Sequence, residues 1–256
     1  MGKLMLALAV SALAGAGAWW LWQRDAREDG EFQKLPGEQR IALARKSREG
    51  VLRRRCAAFG LPYPPREIFL RAFKNEAQIE VWAREDAGRF DLLHTYPVLA
   101  ASGGPGPKRR EGDRQVPEGF YFVDRLNPES SFHLSLGLDY PNASDRILSD
   151  PDHPGSDIFI HGKNTTIGCL PIGDAAIEEL YLLALDTRQR GQREIPVHLF
   201  PARMSGAEWE RFTADQPPAL VKFWAQLQPA YDAFERTRRI PAISVDGAGR
   251  YLVGGR

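Results

Sequence analysis

Only two cysteines, Cys56 and Cys169, occur among the 256 residues. No further cysteine or histidine stands at a recognisable ligand spacing, so the common zinc-binding patterns are excluded and we expect neither a metal nor another cofactor. The sequence also lacks an excess of charge, because 34 basic and 33 acidic side chains leave a formal net charge of +1. A balanced chain has no overall attraction to nucleic acid, and we expect none as a partner.

Long apolar runs are scarce, and the one that stands out is N-terminal. The run Leu4 to Trp22 contains no charge and approaches the roughly 20 residues that span a bilayer. The stretch Ala12-Leu13-Ala14, with alanine on both sides of the leucine, would suit removal as a signal peptide, whereas Trp19 and its neighbouring tryptophans are typical of the interfacial end of an uncleaved anchor. Residues 1–22 are therefore predicted to be a membrane anchor or a signal peptide, and both interpretations predict export of the rest of the chain.

The next segment, 23–61, is charged and carries a weak apolar stripe, which predicts a helical stalk or linker. From Pro62 onward, short β-like runs and a hairpin turn at 86–89 predict a meander of antiparallel strands. The C-terminal extension, 205–256, has aromatic and aliphatic residues at helical spacing. We predict that this extension packs on the preceding domain or forms part of a cleft wall.

Glycine, proline and charge dominate residues 102–119, which excludes a regular element and predicts a long exposed loop. Its Lys108, Arg109 and Arg110 are candidates for binding a substrate carboxylate, although solvated loop charge explains them equally well. His133 belongs to a run in which leucines alternate with other residues. It is predicted on the strand face opposite the leucines, either beside a cleft or facing solvent.

The segment DIFIHGKNTTIGCLPIG at 157–173 holds His161 and Cys169. An apolar run delivers His161 to a strand end, and a polar turn leads to Cys169. The imidazole is a candidate base for the thiol, and the amides of Gly168 and Cys169 are candidates for an oxyanion hole. A disulfide between Cys169 and Cys56 suits an exported chain equally well, so spacing alone leaves both possibilities open.

The pair His161-Gly162, followed after a short gap by Gly168-Cys169, resembles the catalytic motif of the YkuD-type L,D-transpeptidases of bacterial cell walls. Further stretches resemble the YafK-like branch of that family: IFLRAFK at 68–74, EVW at 80–82, SGGPGPKRREGD at 102–113, VPEGFYFVD at 116–124, FHLSLGLDYPNASDR at 132–146 and IPVHLFPARM at 195–204. The likeness extends over residues 62–204.

The resemblance implies an α+β fold, with a β-rich YkuD-type catalytic domain over 62–204 and flanking helices. It implies a periplasmic cysteine enzyme that acts on peptidoglycan stem peptides and is held at the inner membrane if residues 1–22 are not removed. Cys169 would be the nucleophile that attacks the carbonyl of a meso-diaminopimelate residue, and His161 the base. The acyl group would then pass to an amine or to water.

The sequence departs from the wider family, whose motif usually ends in Ser-His-Gly-Cys followed by a basic or amide residue. Here Thr166 and Ile167 replace Ser-His, and Leu170 follows the cysteine. A second histidine and a substrate-binding arginine therefore do not transfer. Thr166 is kept as a candidate for substrate contact, and no sequence feature indicates which group orients His161.

Three functional hypotheses follow. The first is a transpeptidase-like enzyme that forms or hydrolyses bonds at the diaminopimelate carbonyl. The second is an amidase that releases a wall-linked lipoprotein, which would then be a partner, since some YafK-like members hydrolyse bonds that transpeptidases form. The third is a non-catalytic peptidoglycan-binding or scaffolding module in which Cys169 is oxidised to Cys56.

Overall fold

The computed structural model describes residues 30–254, so the predicted anchor or signal peptide lies outside the described residues. In chain order the elements are α1 (Gly37–Ala58), β1 (Glu67–Phe73), β2 (Gln78–Arg84), β3 (Asp91–Pro97), β4 (Gly119–Asn127), β5 (Ser135–Leu138), α2 (Ala143–Leu148), β6 (Ile158–His161), β7 (Leu170–Pro171), α3 (Asp174–Gln189), β8 (Ile195–Phe200), α4 (Gly206–Ala214), α5 (Pro218–Thr237), β9 (Ile243–Val245) and β10 (Tyr251–Val253). Across residues 30–254, every helix is too short or too polar to serve as a bilayer-spanning segment.

One mixed sheet organises the domain, with the strand order β3-β2-β1-β8-β4-β5-β6-β7. The predicted meander is confirmed, since β1, β2 and β3 pair antiparallel in sequence order. Two pairs are parallel, β1 with β8 and β6 with β7. The sheet curls so far that Leu99, just after β3, donates its amide to the carbonyl of Pro171 in β7 at 2.8 Å. This near-closure brings the segment after β3 alongside β7.

Strand β1 shows how both faces of the sheet are covered. Ile68, Leu70 and Ala72 join a core that includes side chains of α1 and α3. Phe69 and Phe73 point the other way, into aromatic clusters with side chains of α5. Because side chains alternate along a strand, a single apolar run serves two helical layers. The fold is α+β, a mixed sheet flanked by helices, as predicted.

Helix α1, which belongs to the segment predicted as a stalk or linker, lies against α3. Its arginines reach acidic side chains of α3 in a row along the interface: Arg45 to Asp186 at 2.6 Å, Arg48 to Glu178 at 2.7 Å and Arg55 to Glu179 at 2.8 Å. Between these pairs the helix buries Leu52 and Cys56 completely in the core. The helix is therefore fixed to the domain by both apolar packing and charge.

The C-terminal extension is held by a buried arginine of the sheet. Arg71 of β1 is fully buried and donates to Glu235 of α5 at 2.7 Å. Its guanidinium carbon also lies 5.0 Å from the ring centre of Tyr231 and 4.7 Å from that of Phe234, both on α5. A buried charge needs such partners, because an unpaired one would destabilise the core strongly. The extension thus packs on the domain, as its aromatic pattern predicts.

The loop between β3 and β4 has no regular structure, as its composition predicts, but it is anchored rather than fully exposed. Glu118, at its end, is completely buried. Its carboxylate accepts from Lys74 Nζ at 2.9 Å, from the amide of Gly106 at 2.9 Å and from Trp224 Nε1 at 2.6 Å. These bonds join the loop to both β1 and α5, which fixes the position of the loop residues that follow 106.

Candidate active site

Strand β6 carries His161 at its end, and β7 begins directly after Cys169. The two strands pair in parallel, with His161 opposite Pro171. Two residues before the His161–Pro171 pair, the backbone amide of Phe159 donates a hydrogen bond to Cys169 Sγ at 3.4 Å. Since side chains two residues apart share a face of the sheet, Cys169 projects from the same face as His161. The fold therefore places the thiol and the imidazole on one face of the sheet, with Cys169 just before β7 and His161 at the end of β6.

The turn that joins the two strands is organised by the Thr166 hydroxyl. That oxygen accepts from the amides of Gly168 and Cys169 at 3.1 and 2.8 Å, and the hydroxyl donates to the Cys169 carbonyl at 2.8 Å. Gly168 has a φ of 139°, and a Cβ at this position would lie 3.2 Å from the carbonyl oxygen of Gln115. A glycine is needed there both for the backbone angle and for close approach to the β3–β4 loop.

The two amides that the sequence predicts for an oxyanion hole are thus already hydrogen-bonded. Both point at one oxygen atom, that of Thr166, which shows that they converge as an oxyanion hole requires. A substrate oxygen at this place would have to displace the hydroxyl or share its donors. Thr166 lines the same cleft as Cys169, so its side chain can rotate toward the cleft without movement of the surrounding elements.

His161 is buried, and its ring is fixed on two sides. Its Nδ1 lies 2.6 Å from the carbonyl oxygen of Gly162. Because a carbonyl oxygen only accepts, Nδ1 carries the proton and Nε2 remains the basic nitrogen. The ring of Phe132 lies 4.6 Å from the imidazole, measured between ring centres. The Gly162 carbonyl is therefore the orienting group for which the sequence offered no candidate.

The electrostatics keep both reactive groups neutral at rest. Burial lowers the pKa of His161, although the Gly162 carbonyl and the Asp174 carboxylate act in the opposite direction. Burial raises the pKa of the half-buried Cys169 thiol, against the smaller influences of the Phe159 amide and the Lys108 ammonium. At neutral pH the thiol therefore keeps its proton, and the imidazole is free to accept one.

Cys169 and His161 line one cleft, with a volume of about 750 Å³. Residues 130–132 and Ser135 form one wall, residues of the loop at 108–114 form another, and the turn at 165–168 closes a third side. This volume lies within the range of about 300–1,000 Å³ that is usual for sites of small ligands. The cleft therefore has room for a short peptide segment at the thiol.

The charged groups around the cleft have both signs: Lys108, Glu111, Arg114 and Asp157. Lys108 pairs with Asp113 at 2.8 Å, and Asp157 pairs with Arg125 at 2.8 Å. Glu111 and Arg114 have no ion pair within residues 30–254 and are exposed at the rim. The cleft thus presents one carboxylate and one guanidinium without an ion-pair partner, those of Glu111 and Arg114, to a ligand.

Comparison with known proteins agrees with this site. The sequence profile of the family described as "YkuD: L,D-transpeptidase catalytic domain" matches residues 73–197, a range that contains both His161 and Cys169. A relative from Escherichia coli K12, "Putative L,D-transpeptidase YafK", is 35% identical over 188 residues, which are 73% of this chain and 73% of the relative. This chain belongs to the YkuD-type L,D-transpeptidase family.

Several solved structures also match, at lower similarity. A mutant of the helical cell shape determining protein Pgp2 from Campylobacter jejuni has 20% identity and a TM-score of 0.44, over 63% of this chain and 55% of that chain. Bd1075 from Bdellovibrio bacteriovorus has 22% identity and a TM-score of 0.39, over 65% of this chain and 59% of that chain.

Within the YkuD-type motif, Ile167 occupies the position of the second histidine of the wider family. Its side chain is 74% exposed at the cleft. An aliphatic group cannot carry a proton, and His161 is the one histidine that lines the cleft within residues 30–254. Ile167 therefore cannot take the part that a second histidine would have in acid–base chemistry.

The three basic residues predicted to receive a substrate carboxylate lie in different surroundings. Lys108 lines the cleft, but it is buried and donates to Asp113 at 2.8 Å and to the Arg110 carbonyl at 3.0 Å. Arg109 donates to Asp145 at 2.8 Å. Arg110 is exposed, outside the cleft lining. Only Lys108 of the three is therefore near the thiol.

The predicted strand position of His133 is wrong. Strand β5 begins at Ser135, and His133 has a φ of 73° in the turn that precedes it. Its ring is buried, stacks on that of Phe32 with 3.8 Å between centres, and places Nε2 2.9 Å from Glu178. The alternation was misleading because every residue of β5 is buried, not only the leucines. His133 faces the helices and does not line the cleft.

Several residues that line the cleft were not among the candidates predicted from sequence, including Phe132, Arg114 and Asp157. Arg114 has a φ of 59°, a left-handed conformation that is uncommon for arginine and typical of functional loops. The loop composition was the only available signal for it. Phe132 directly precedes His133 in the sequence, but its relevance to the site follows only from its contact with His161.

Gly173 occupies the N-cap position of α3, and Asp174 is the first residue of the helix. The carboxylate of Asp174 accepts instead from the backbone amide of Lys163 at 2.7 Å. It therefore fixes the turn after His161 rather than the helix end. This explains why its charge raises the pKa of His161.

The two cysteines are both free thiols, with Cys56 in the core and Cys169 at the cleft. No disulfide joins these two residues. Within residues 30–254, no group of three or more His, Cys, Asp or Glu side chains is arranged to hold a metal ion.

Proposed function

We propose that this chain is an exported, cysteine-dependent enzyme that acts on peptidoglycan stem peptides. Cys169 attacks the carbonyl of a meso-diaminopimelate residue, and His161 is the base. Residues 62–204 are the catalytic unit, located in the periplasm, and residues 1–22 are its anchor or signal peptide. The observation that carries the proposal is the β6–β7 pairing, which sets a thiol and an imidazole with a basic Nε2 on one face of one cleft.

The first half of the reaction forms a thioester. His161 Nε2 takes the thiol proton while Cys169 Sγ bonds to the carbonyl carbon, since neither group is charged at rest. The amides of Gly168 and Cys169 then hold the oxyanion, with the Thr166 hydroxyl turned aside. When the intermediate collapses, the carbon–nitrogen bond breaks and the imidazolium returns its proton to the leaving amine.

The second half resolves the thioester. An amine or a water molecule attacks the acyl carbon, and His161 Nε2 accepts its proton. Collapse of this intermediate breaks the carbon–sulfur bond, and the proton returns to the sulfur. Attack by an amine gives transfer, and attack by water gives hydrolysis, so one site supports both outcomes.

The charges around the cleft support diaminopimelate as the reacting residue. Its side chain ends in a centre that carries both an amine and a carboxylate. A rim with an uncommitted Arg114 and an uncommitted Glu111 offers one partner for each group. A ligand with a single charge would leave one of the two side chains without a partner.

Mass analysis of digested cell wall tests the proposal. The full-length chain is incubated with purified sacculi, with and without a free D-amino acid as acceptor, and the muropeptides are separated and weighed. We expect products altered at the diaminopimelate carbonyl, and none from the Cys169→Ala variant. Incorporation of the added amino acid identifies a transferase, whereas cleavage without incorporation identifies a hydrolase.

The same experiment distinguishes this enzyme from a lipoprotein-releasing amidase and from a non-catalytic module. Sacculi that carry a covalently attached lipoprotein are treated in parallel, and release of that lipoprotein identifies the amidase. If the wild-type chain pellets with sacculi but leaves every product mass unchanged, the chain is a binding or scaffolding module and the catalytic proposal is wrong.

A further inference from the structure

The wall of the cleft at residues 130–133 has no regular structure, yet it contacts the proposed base directly. The carbonyl of Phe132 accepts from the amide of Gly162 at 3.0 Å. Its ring packs on the imidazole of His161, with 4.6 Å between centres. A shift of this wall would therefore move both the ring that covers His161 and the peptide that follows it.

A single buried arginine from outside the catalytic unit holds this wall. Arg40, in the first turn of α1, is 5% exposed. Its Nη1 donates to the carbonyls of Ser130 at 3.0 Å and His133 at 3.2 Å, so it grips the wall on both sides of Phe132. Its Nε donates to the Leu35 carbonyl at 2.9 Å. Arg40 has no carboxylate partner within residues 30–254, and its guanidinium donates to backbone carbonyl groups instead.

The residues around Arg40 strengthen the same contact. Phe32 stacks on His133, and the Gln33 side chain donates to the Ser131 carbonyl at 2.7 Å. A Cβ on Gly37 would lie 2.7 Å from the side chain of Pro128, so the helix start is pressed close against the wall. The residues just before α1 and its first turn therefore form one surface fitted to residues 128–133.

We propose that Arg40 is a positioning residue for His161, acting through residues 130–133. The segment that links the predicted anchor to the catalytic unit is then part of the active site rather than a spacer. The inference rests on the proposed function of His161 as the base. It adds that the cleft is complete only when the start of α1 is docked.

The physical reason lies in the backbone of the wall. His133 adopts a φ of 73°, which costs free energy for a residue with a side chain. The carbonyls of Ser130 and His133 would also lose a charge-assisted hydrogen bond if the guanidinium were removed. The wall then relaxes, Phe132 leaves the imidazole, and water reaches His161. Because burial lowers the pKa of His161, this exposure raises it toward its ordinary value.

The test compares Arg40→Met with Arg45→Met in the full-length chain. Arg45 lies on the same helix and pairs with Asp186, away from the cleft. The pKa of His161 is measured by NMR on chains labelled at histidine, with the His161→Gln spectrum used for assignment. We expect Arg40→Met to raise this pKa, and Arg45→Met to leave it at the wild-type value. This measurement needs no substrate, so it stands or falls independently of the proposed reaction.

Activity on stem peptides provides the second readout. We expect Arg40→Met to lower kcat/KM by about tenfold or more, because small misplacements of a catalytic group are costly, and to move the acidic limb of the pH profile to higher pH. A loss of stability alone would lower activity without moving that limb. If Arg40→Met does not fold, the same measurements are made on Arg40→Lys. This variant keeps the positive charge but cannot make the several hydrogen bonds of the guanidinium. An unchanged His161 pKa in the folded variant would overturn the proposal.

Discussion

Cys56 and Cys169 share a raised thiol pKa but lie in different surroundings. Burial raises the pKa of Cys56 to about 11, and it raises the pKa of Cys169 as well. Cys56 lies completely inside the core between α1, α3 and the sheet. Cys169 lines a cleft, accepts a hydrogen bond from the Phe159 amide and shares a sheet face with His161.

The comparison shows that a low thiol pKa is not what marks the candidate nucleophile in this chain. Access to substrate, a basic nitrogen on the same face, and amides that converge on one point distinguish Cys169. A thiol that stays neutral at rest is also less exposed to oxidation, since the thiolate is the reactive form. Three experiments test this contrast.

The largest expected difference is the rate of alkylation of the two thiols by iodoacetamide. Cys169 is partly exposed, whereas Cys56 reacts only when the core opens, so we expect Cys169 to react at least about 10³ times faster. Because its pKa is raised, its rate should still be increasing near about pH 9. Peptide mass mapping after timed quenching measures both sites. Equal labelling of the two thiols would mean that the core around Cys56 is not closed.

The second difference concerns the base. We expect His161→Gln to lower kcat by about 10²-fold or more, which is the usual range for losing a general base. In the wild type, activity should be lost as the pH falls through the lowered pKa of His161, because only the neutral imidazole accepts a proton. The acidic limb therefore lies below the ordinary histidine pKa.

His153 provides the matched control for this experiment, since it is exposed and does not line the cleft. His153→Gln should leave the rate and the pH profile unchanged. An acidic limb that persists in His161→Gln would assign the titrating base to another residue.

The sequence predicted what depends on local pattern. The meander β1-β2-β3 and the placement of His161 at a strand end both follow from apolar periodicity and turn residues. The motif around Cys169 was recognisable from its spacing and from family resemblance. Each of these features is decided within about ten residues of the chain.

Features that depend on distant contacts were not predicted. The parallel β6–β7 pair, the grip of Arg40 on residues 130–133 and the contact of Phe132 with His161 join residues that are far apart in the chain or out of pattern. His133 was misplaced for the same reason, since alternation cannot show that a strand begins two residues later. Orientation of His161 by a carbonyl was hidden because every residue has one.

The smallest expected difference is in stability. Substitution of Cys56 should destabilise the protein more than substitution of Cys169, whereas activity should depend on Cys169. Cys56→Ser places a hydroxyl in an apolar core with no space for water, which should lower the free energy of unfolding by about 1–3 kcal/mol. Cys169→Ser exchanges a half-exposed atom beside an amide donor that a hydroxyl can also accept from, so we expect a change below about 0.5 kcal/mol. Urea unfolding of both variants, with equal slopes, measures the contrast. If Cys169→Ser were the more destabilised of the two, Cys169 would have to be assigned a structural role, and the division of labour between the two thiols would be reversed.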